Sequence, residues 1–214
     1  MGTFFQSWWS YLQTNFSYLL GQLGTHIYIS VTSVVFCFIL GFPLAVFMYF
    51  HKKWEGPIMT VINTLQTVPS MAMLTIFLIL FGLGTNTVIL LVIVYSLLPI
   101  VSNTFAGLNN VNPTYLDSAK GLGMNQWQVL FIVQVPLALP IILGGLKNAL
   151  ILAVGTTTIG SFVGAGGLGD VILRGINTVG GTSILLTGAL LCALIAIVFE
   201  ALISQIEKRV TIFK

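Results

Sequence analysis

The most position-specific run of residue types lies at Asp117, Ser118, Ala119, Lys120, Gly121 and Gly123, with Pro136 thirteen positions further on. A carboxylate, a hydroxyl and several small residues do not make a catalytic set. The small side chains of Ser118, Ala119, Gly121 and Gly123 instead let another protein approach the backbone closely, which is docking chemistry. Other catalytic constellations are equally poorly served. His26 and His51 are the only histidines, and both flank apolar runs, so no Ser/His/Asp arrangement is credible. Cys37 and Cys192 lie inside apolar runs and read as small buried hydrophobes, without metal-ligand or disulfide spacing. The chain has no G-x-x-x-x-G-K-[ST] run, so it is not expected to hydrolyse ATP. Gly164 to Gly169 fits G-x-G-x-x-G, but an apolar helix precedes it, and the region near residue 190, where an acidic residue would be needed, is apolar. No catalytic residue, metal or bound cofactor is expected on this chain.

A second group of polar residues interrupts apolar stretches: Gln66, Pro69 and Ser70, then Tyr95, Pro99 and Asn103. Proline lacks an N–H and frees a carbonyl. Freed backbone inside a membrane is tolerated where it lines a cavity. These six residues are candidates for lining a path, with helix packing as the alternative. Lys147 and Glu200 are ionisable groups near or within spans; snorkelling or packing is favoured over a functional role. Asp170 and Arg174 stand four apart, the spacing of a helical ion pair.

The elements that must carry these groups are membrane spans. Charged residues make up 6% of the chain and hydrophobic ones 57%, too few charges to cover a soluble surface. None of Lys, Arg, Asp or Glu precedes Lys52, and none occurs between Glu55 and Asp117. About 20 apolar residues cross a hydrocarbon core, so this interval holds two spans and a turn. Five spans are expected, at 27–50, 58–81, 87–107, 137–158 and 183–204. Residues 1–26 are expected to be an interfacial, extracellular segment rich in Trp and Tyr, 27–205 the spanning domain, and 206–214 a tail. No signal peptide is read at the N-terminus.

The loop at 108–136 reads as two short helices. Asn112 and Pro113 suit the start of the first, with Thr114 and Asp117 as an alternative capping box. Gly121 and Gly123 end it. Asn125 and Gln128 suit a second capping pair, and Pro136 is expected to stop that helix. Six of the eight basic residues, Lys52, Lys53, Lys120, Lys208, Arg209 and Lys214, fall on one side. That side is expected to be cytoplasmic, with the N-terminus outside and the C-terminus inside. No basic, aromatic-laced surface for nucleic acid is present.

Asp-Ser-Ala at 117–119, Gly123 and Val133-Gln134-Val135-Pro136 resemble, at the same spacing, the EAA loop of ABC-importer permeases, with Asp replacing the family's Glu. Gln66-Thr67-Val68-Pro69-Ser70, Pro99 to Thr104 with Gly107, and Gly164 to Asp170 resemble the osmoprotectant permeases for glycine betaine, carnitine and choline. The resemblance implies an all-α membrane protein of type I ABC-importer architecture, with about five spans and a cytoplasmic coupling helix, in a bacterial cell membrane. It implies as partners a dimer of ATPase subunits, which carries the ATP and Mg, a second permease subunit, an extracellular substrate-binding protein and membrane lipids. By the same resemblance Asp117, Ser118, Ala119, Gly121, Gly123 and Pro136 couple to the ATPase; the charged pair Asp170 and Arg174, beside the glycine-rich run, is a candidate for docking the binding protein. A permease for another solute, such as an amino acid, is the nearer alternative. An ion-driven carrier would usually place carboxylates at mid-membrane and carry inverted repeats.

Overall fold

The computed structural model describes residues 2–211, whose regular structure is helical throughout. Lys214 and the end of the tail expected at 206–214 lie outside the described residues. Helix α1 (Gly2–Thr14) leads through Asn15 into α2 (Phe16–Phe50). A short 3-10 turn at Lys52–Trp54 precedes α3 (Glu55–Thr67) and α4 (Ser70–Phe81). Then come α5 (Thr85–Asn109), α6 (Pro113–Gly121), α7 (Gln126–Val163), α8 (Leu168–Asn177) and α9 (Thr182–Thr211).

Four of these, α2, α5, α7 and α9, are long and apolar enough to cross a membrane, and the bent pair α3–α4 is either a broken fifth span or a re-entrant loop. The chain is a multi-pass membrane protein. Its lysine-rich end gathers His51, Lys52, Lys53 and α6, and its glycine-rich end gathers residues 164–169 and α8. Helix α5 is the hub, packed along α2 on one side and α7 on the other. Val88, Leu91, Val92 and Ile100 of α5 are fully or almost fully buried with Ile29 and Cys37 of α2 and Ala149 and Ala153 of α7. Small residues allow this closeness, as is usual in membrane bundles. A methyl group on Gly145 would stand 2.6 Å from the Asn103 Cβ and 2.7 Å from the Pro99 carbonyl oxygen.

Several boundaries differ from those expected. The helix that carries the first span begins before residue 27: α2 has 35 residues and starts at Phe16. Its early turns stay helical because Leu19 is buried against Leu168, Val171 and Ile195. The second span is not one rod. It breaks at Val68–Pro69 with a bend of 96°. Val68 is extended (φ −68°, ψ 128°), as the residue before a proline prefers. Pro136 does not stop its helix either. Residues 129–134 wind as a π-helix, and the Val135 N–H reaches the Leu130 carbonyl. That wider turn relieves the clash between the proline ring and the preceding carbonyls. The connection at 159–182 is largely ordered, as a 3-10 turn at Thr158–Val163 and α8.

For Lys147, snorkelling or packing was the expectation, and its ammonium packs 3.6 Å from the Glu207 carboxylate of α9. Glu200 sits two turns further along the same face of α9 and is exposed.

Candidate functional site

The lysine-rich end is a closed hairpin. Asn112 caps α6: its side-chain oxygen accepts the Thr114 N–H at 3.0 Å, with Pro113 opening the helix. The alternative Thr114–Asp117 box does not form; Asp117 instead faces Lys120 at 3.8 Å. Gly121 is the last residue of α6, and Gly123 makes the turn with φ +81°, a conformation that favours glycine. Asn125 and Gln128 then form the reciprocal capping box that opens α7.

Of the small residues expected to meet a partner, Ser118, Gly121 and Gly123 are exposed. Ala119 is not. It is 4% exposed and faces the hairpin's own interior, so it packs the loop and does not offer a surface. Pro136 lies about three turns away from the tip, in α7. The tip instead presents two large apolar groups that the sequence reading missed, Leu122 at 80% and Tyr115 at 56% exposure. A leucine flanked by two glycines at a helix end was the available signal. The neck of the hairpin is stitched to the bundle. The Gln134 amide donates to the Leu108 carbonyl at 2.8 Å, and the Lys52 ammonium donates to the Asn109 side chain. Lys52 also lies over the Phe105 ring at 4.7 Å, and Trp127 meets Phe50 edge-on at 5.4 Å.

At mid-span, Gln66, Pro69, Tyr95 and Pro99 converge around the α3–α4 break. Pro99 has no N–H for the Tyr95 carbonyl four residues earlier; the Gln66 amide donates to that carbonyl at 2.7 Å. The Tyr95 hydroxyl donates in turn to the carbonyl of Val68 at the break. Ser70 begins α4, directly after the break. A shallow cavity of about 350 Å³ opens beside them, lined by Gln66, Pro99, Asn148, Ile151 and Leu152. Tyr95 is buried and not part of that lining, and Asn103 is turned back to the Pro99 carbonyl of its own helix at 2.8 Å. An exposed stripe on α3 was also missed: Thr60, Asn63, Thr64 and Thr67, at the spacing of one helix face. Thr64 and Thr67 bond back to α3 carbonyls.

At the glycine-rich end, Asp170 and Arg174 share α8 but form no ion pair among the described residues. The Arg174 guanidinium lies over the Tyr18 ring at 4.6 Å. Partial burial raises the Asp170 carboxyl above its usual range, and Arg174 opposes this. Burial also raises the Tyr11 phenol, again against Arg174. The first turn of α8 is held by α2. Gln22 accepts the Gly167 N–H at 2.6 Å, and His26 accepts the Leu168 N–H at 3.2 Å through Nδ1. The other ring nitrogen of His26 therefore carries its hydrogen and donates to the Val154 carbonyl at 3.1 Å. A side chain on Gly169 would overlap the Thr158 carbonyl, so this junction is tightly fitted.

Four apolar spanning helices, a bent helix pair with polar residues at its break and a compact helical hairpin at one end make this a multi-pass membrane protein. The chain belongs to the family described as binding-protein-dependent transport system inner membrane component, whose model matches residues 10–212. It is 44% identical over 198 residues to the carnitine transport permease protein OpuCD of Listeria monocytogenes, covering 92% of this chain and 89% of that one. It is 42% identical over 205 residues to the glycine betaine/carnitine/choline transport system permease protein OpuCD of Bacillus subtilis, covering 96% and 90%. Its fold matches an inward-facing structure of the MetNI methionine ABC transporter with a TM-score of 0.81, at 20% identity, over 90% of this chain and 95% of that one.

Proposed function

We propose that this chain is the permease subunit of an ATP-driven importer for quaternary ammonium osmoprotectants of the glycine betaine, carnitine and choline class. The substrate class rests on the relatives named above. The mechanism rests on the hairpin. Its exposed tip, Tyr115, Asp117, Ser118, Gly121, Leu122 and Gly123, is a small docking knob on a rigid stalk. An ATPase dimer carrying ATP and Mg seats on this knob, so the lysine-rich end faces the cytoplasm and the N-terminus lies outside. Closure of the dimer moves the knob and tilts the spans, alternating access.

A second permease subunit, identical or homologous, closes the path against the exposed polar stripe of α3 and the cavity at Gln66, Pro99 and Asn148. Uncharged polar groups there suit passage of a solute that is not held tightly. The cationic head of such a solute is recognised by aromatic cages, and we assign that recognition to an extracellular binding protein docking near α8, Asp170 and Arg174. Co-expression of the chain with its ATPase and partner permease, reconstitution in proteoliposomes with the binding protein and assay of ATP-dependent uptake tests this. Uptake of betaine, carnitine or choline, with methionine excluded, is the expected result. Uptake of an amino acid alone would reassign the substrate, and uptake driven by an ion gradient without ATP would overturn the mechanism.

A further inference from the structure

We infer that Gln134 is a positioning residue that locks the two legs of the coupling hairpin into one lever; this rests on the proposed docking of an ATPase at the hairpin tip. The first leg is α5, which ends at Asn109, and the second is α7, which starts at Gln126. Everything that an ATPase pushes on lies between them. Gln134 closes the neck, bonding across 26 positions to the Leu108 carbonyl at 2.8 Å.

Three observations make that bond more than a local convenience. Leu108 is the penultimate residue of α5, and the last carbonyls of a helix have no partner within it. Gln134 supplies the donor that α5 lacks. Gln134 is also 2% exposed and lies beside an apolar cluster of Val46, Leu108, Val111, Leu130, Ala138 and Ile142. An apolar residue of equal size would fill the same space without the cost of burying an amide. Finally, Gln134 ends the π-helical segment Val129–Gln134, two residues before Pro136. A wide turn next to a missing backbone donor is where a helix bends most readily. The Gln134 bond spans that weak point and ties it to α5. Force applied at Leu122 or Tyr115 then moves α5 and α7 together and is not dissipated as bending of α7 alone.

The test uses the intact importer in proteoliposomes, with binding protein and solute, and reads ATP hydrolysed and solute imported in the same preparation. Gln134→Met removes the donor and keeps the length. Gln134→Leu removes the donor and keeps an apolar group at the same point. The expected result is that both complexes assemble and still hydrolyse ATP when the binding protein is added, while solute imported per ATP falls about fivefold, the scale of one buried hydrogen bond. An unchanged ratio overturns the inference, whether the two rates stay normal or fall together. Failure of both variants to assemble overturns it as well, since the role would then be structural. A wild-type complex that hydrolyses no ATP strikes the proposed function and not this role.

Discussion

Gln66 and Tyr95 exchange hydrogen bonds across the bundle: the Gln66 amide serves the carbonyl of Tyr95, and the Tyr95 hydroxyl serves the carbonyl of Val68, two residues beyond Gln66. Each side chain repairs a backbone that a proline has disturbed, Pro99 in α5 and Pro69 at the break. Lipid offers no donors to such carbonyls. The 96° bend is therefore fixed in place by two specific bonds.

Removing either bond should loosen the bend. Tyr95→Phe leaves the Val68 carbonyl without this donor, and Gln66→Leu does the same to Tyr95. Each is expected to cost about 1–3 kcal/mol. Thermal unfolding in detergent, followed by size-exclusion chromatography, should show a lower Tm for each. The double variant should lose less than the sum, because the two bonds hold one element. Additive losses would mean that the bonds act independently.

The tip of the hairpin should carry the affinity for the ATPase. Leu122→Asp places a charge at the most exposed apolar group of the loop. It is expected to weaken co-purification of the ATPase about tenfold or more while leaving the monodisperse permease intact. Ala119→Ser, inside the hairpin, should instead lower stability with less effect on docking affinity. The reverse pattern would place the contact on the buried face.

Lys147 and Glu207 should be replaceable only as a pair. Their side chains are 25% and 33% exposed, so solvent weakens the interaction, and about 1 kcal/mol of coupling is expected. Lys147→Glu alone replaces an attractive pair with two like charges on facing helices. Glu207→Lys in the same chain should restore thermal stability and uptake. If the double variant is no better than the worse single one, the pair is not the determinant.

Asp170 should make stability depend on acidity. Its carboxyl titrates higher in the folded protein than in the unfolded chain, chiefly through burial. The folded state thus binds the proton more tightly. This contribution is fully present below the unfolded value of 3.8 and is lost as pH rises through the folded one. Asp170→Asn should remove that slope in a series of Tm measurements across acidic pH and raise Tm near neutrality. A variant with the wild-type slope would assign it to another group.

Hydropathy made the membrane-spanning character legible, because charge is so sparse that only lipid could surround these helices. The caps at Asn112 and at Asn125–Gln128 were also legible, being local patterns of short polar side chains next to free N–H groups. The bend at Val68–Pro69 was not. Pro99 lies in a helix that continues, while Pro69 breaks one, and the bonds that join the two sites link Gln66 and Val68 to Tyr95, far away in sequence. The course through Pro136 was equally hidden, since a π-turn has no residue signature of its own. The burial of Ala119 depends on the fold of the hairpin around it, whereas the exposure of Leu122 was readable from its flanking glycines. The partnership of Lys147 with Glu207 needed the antiparallel register of α7 and α9, which no local pattern supplies.

His26 has a consequence for how the protein is made. Its ring contacts Val154 and the N–H of Leu168, which follow it by 128 and 142 positions. At a ribosomal pace of about 5–20 residues per second, those partners emerge roughly ten seconds later. The leading helix thus enters the bilayer with an imidazole awaiting chain not yet synthesised. Water, headgroups or the insertion machinery must shelter it until the nascent polypeptide is nearly finished, and a truncation before residue 154 would strand it there.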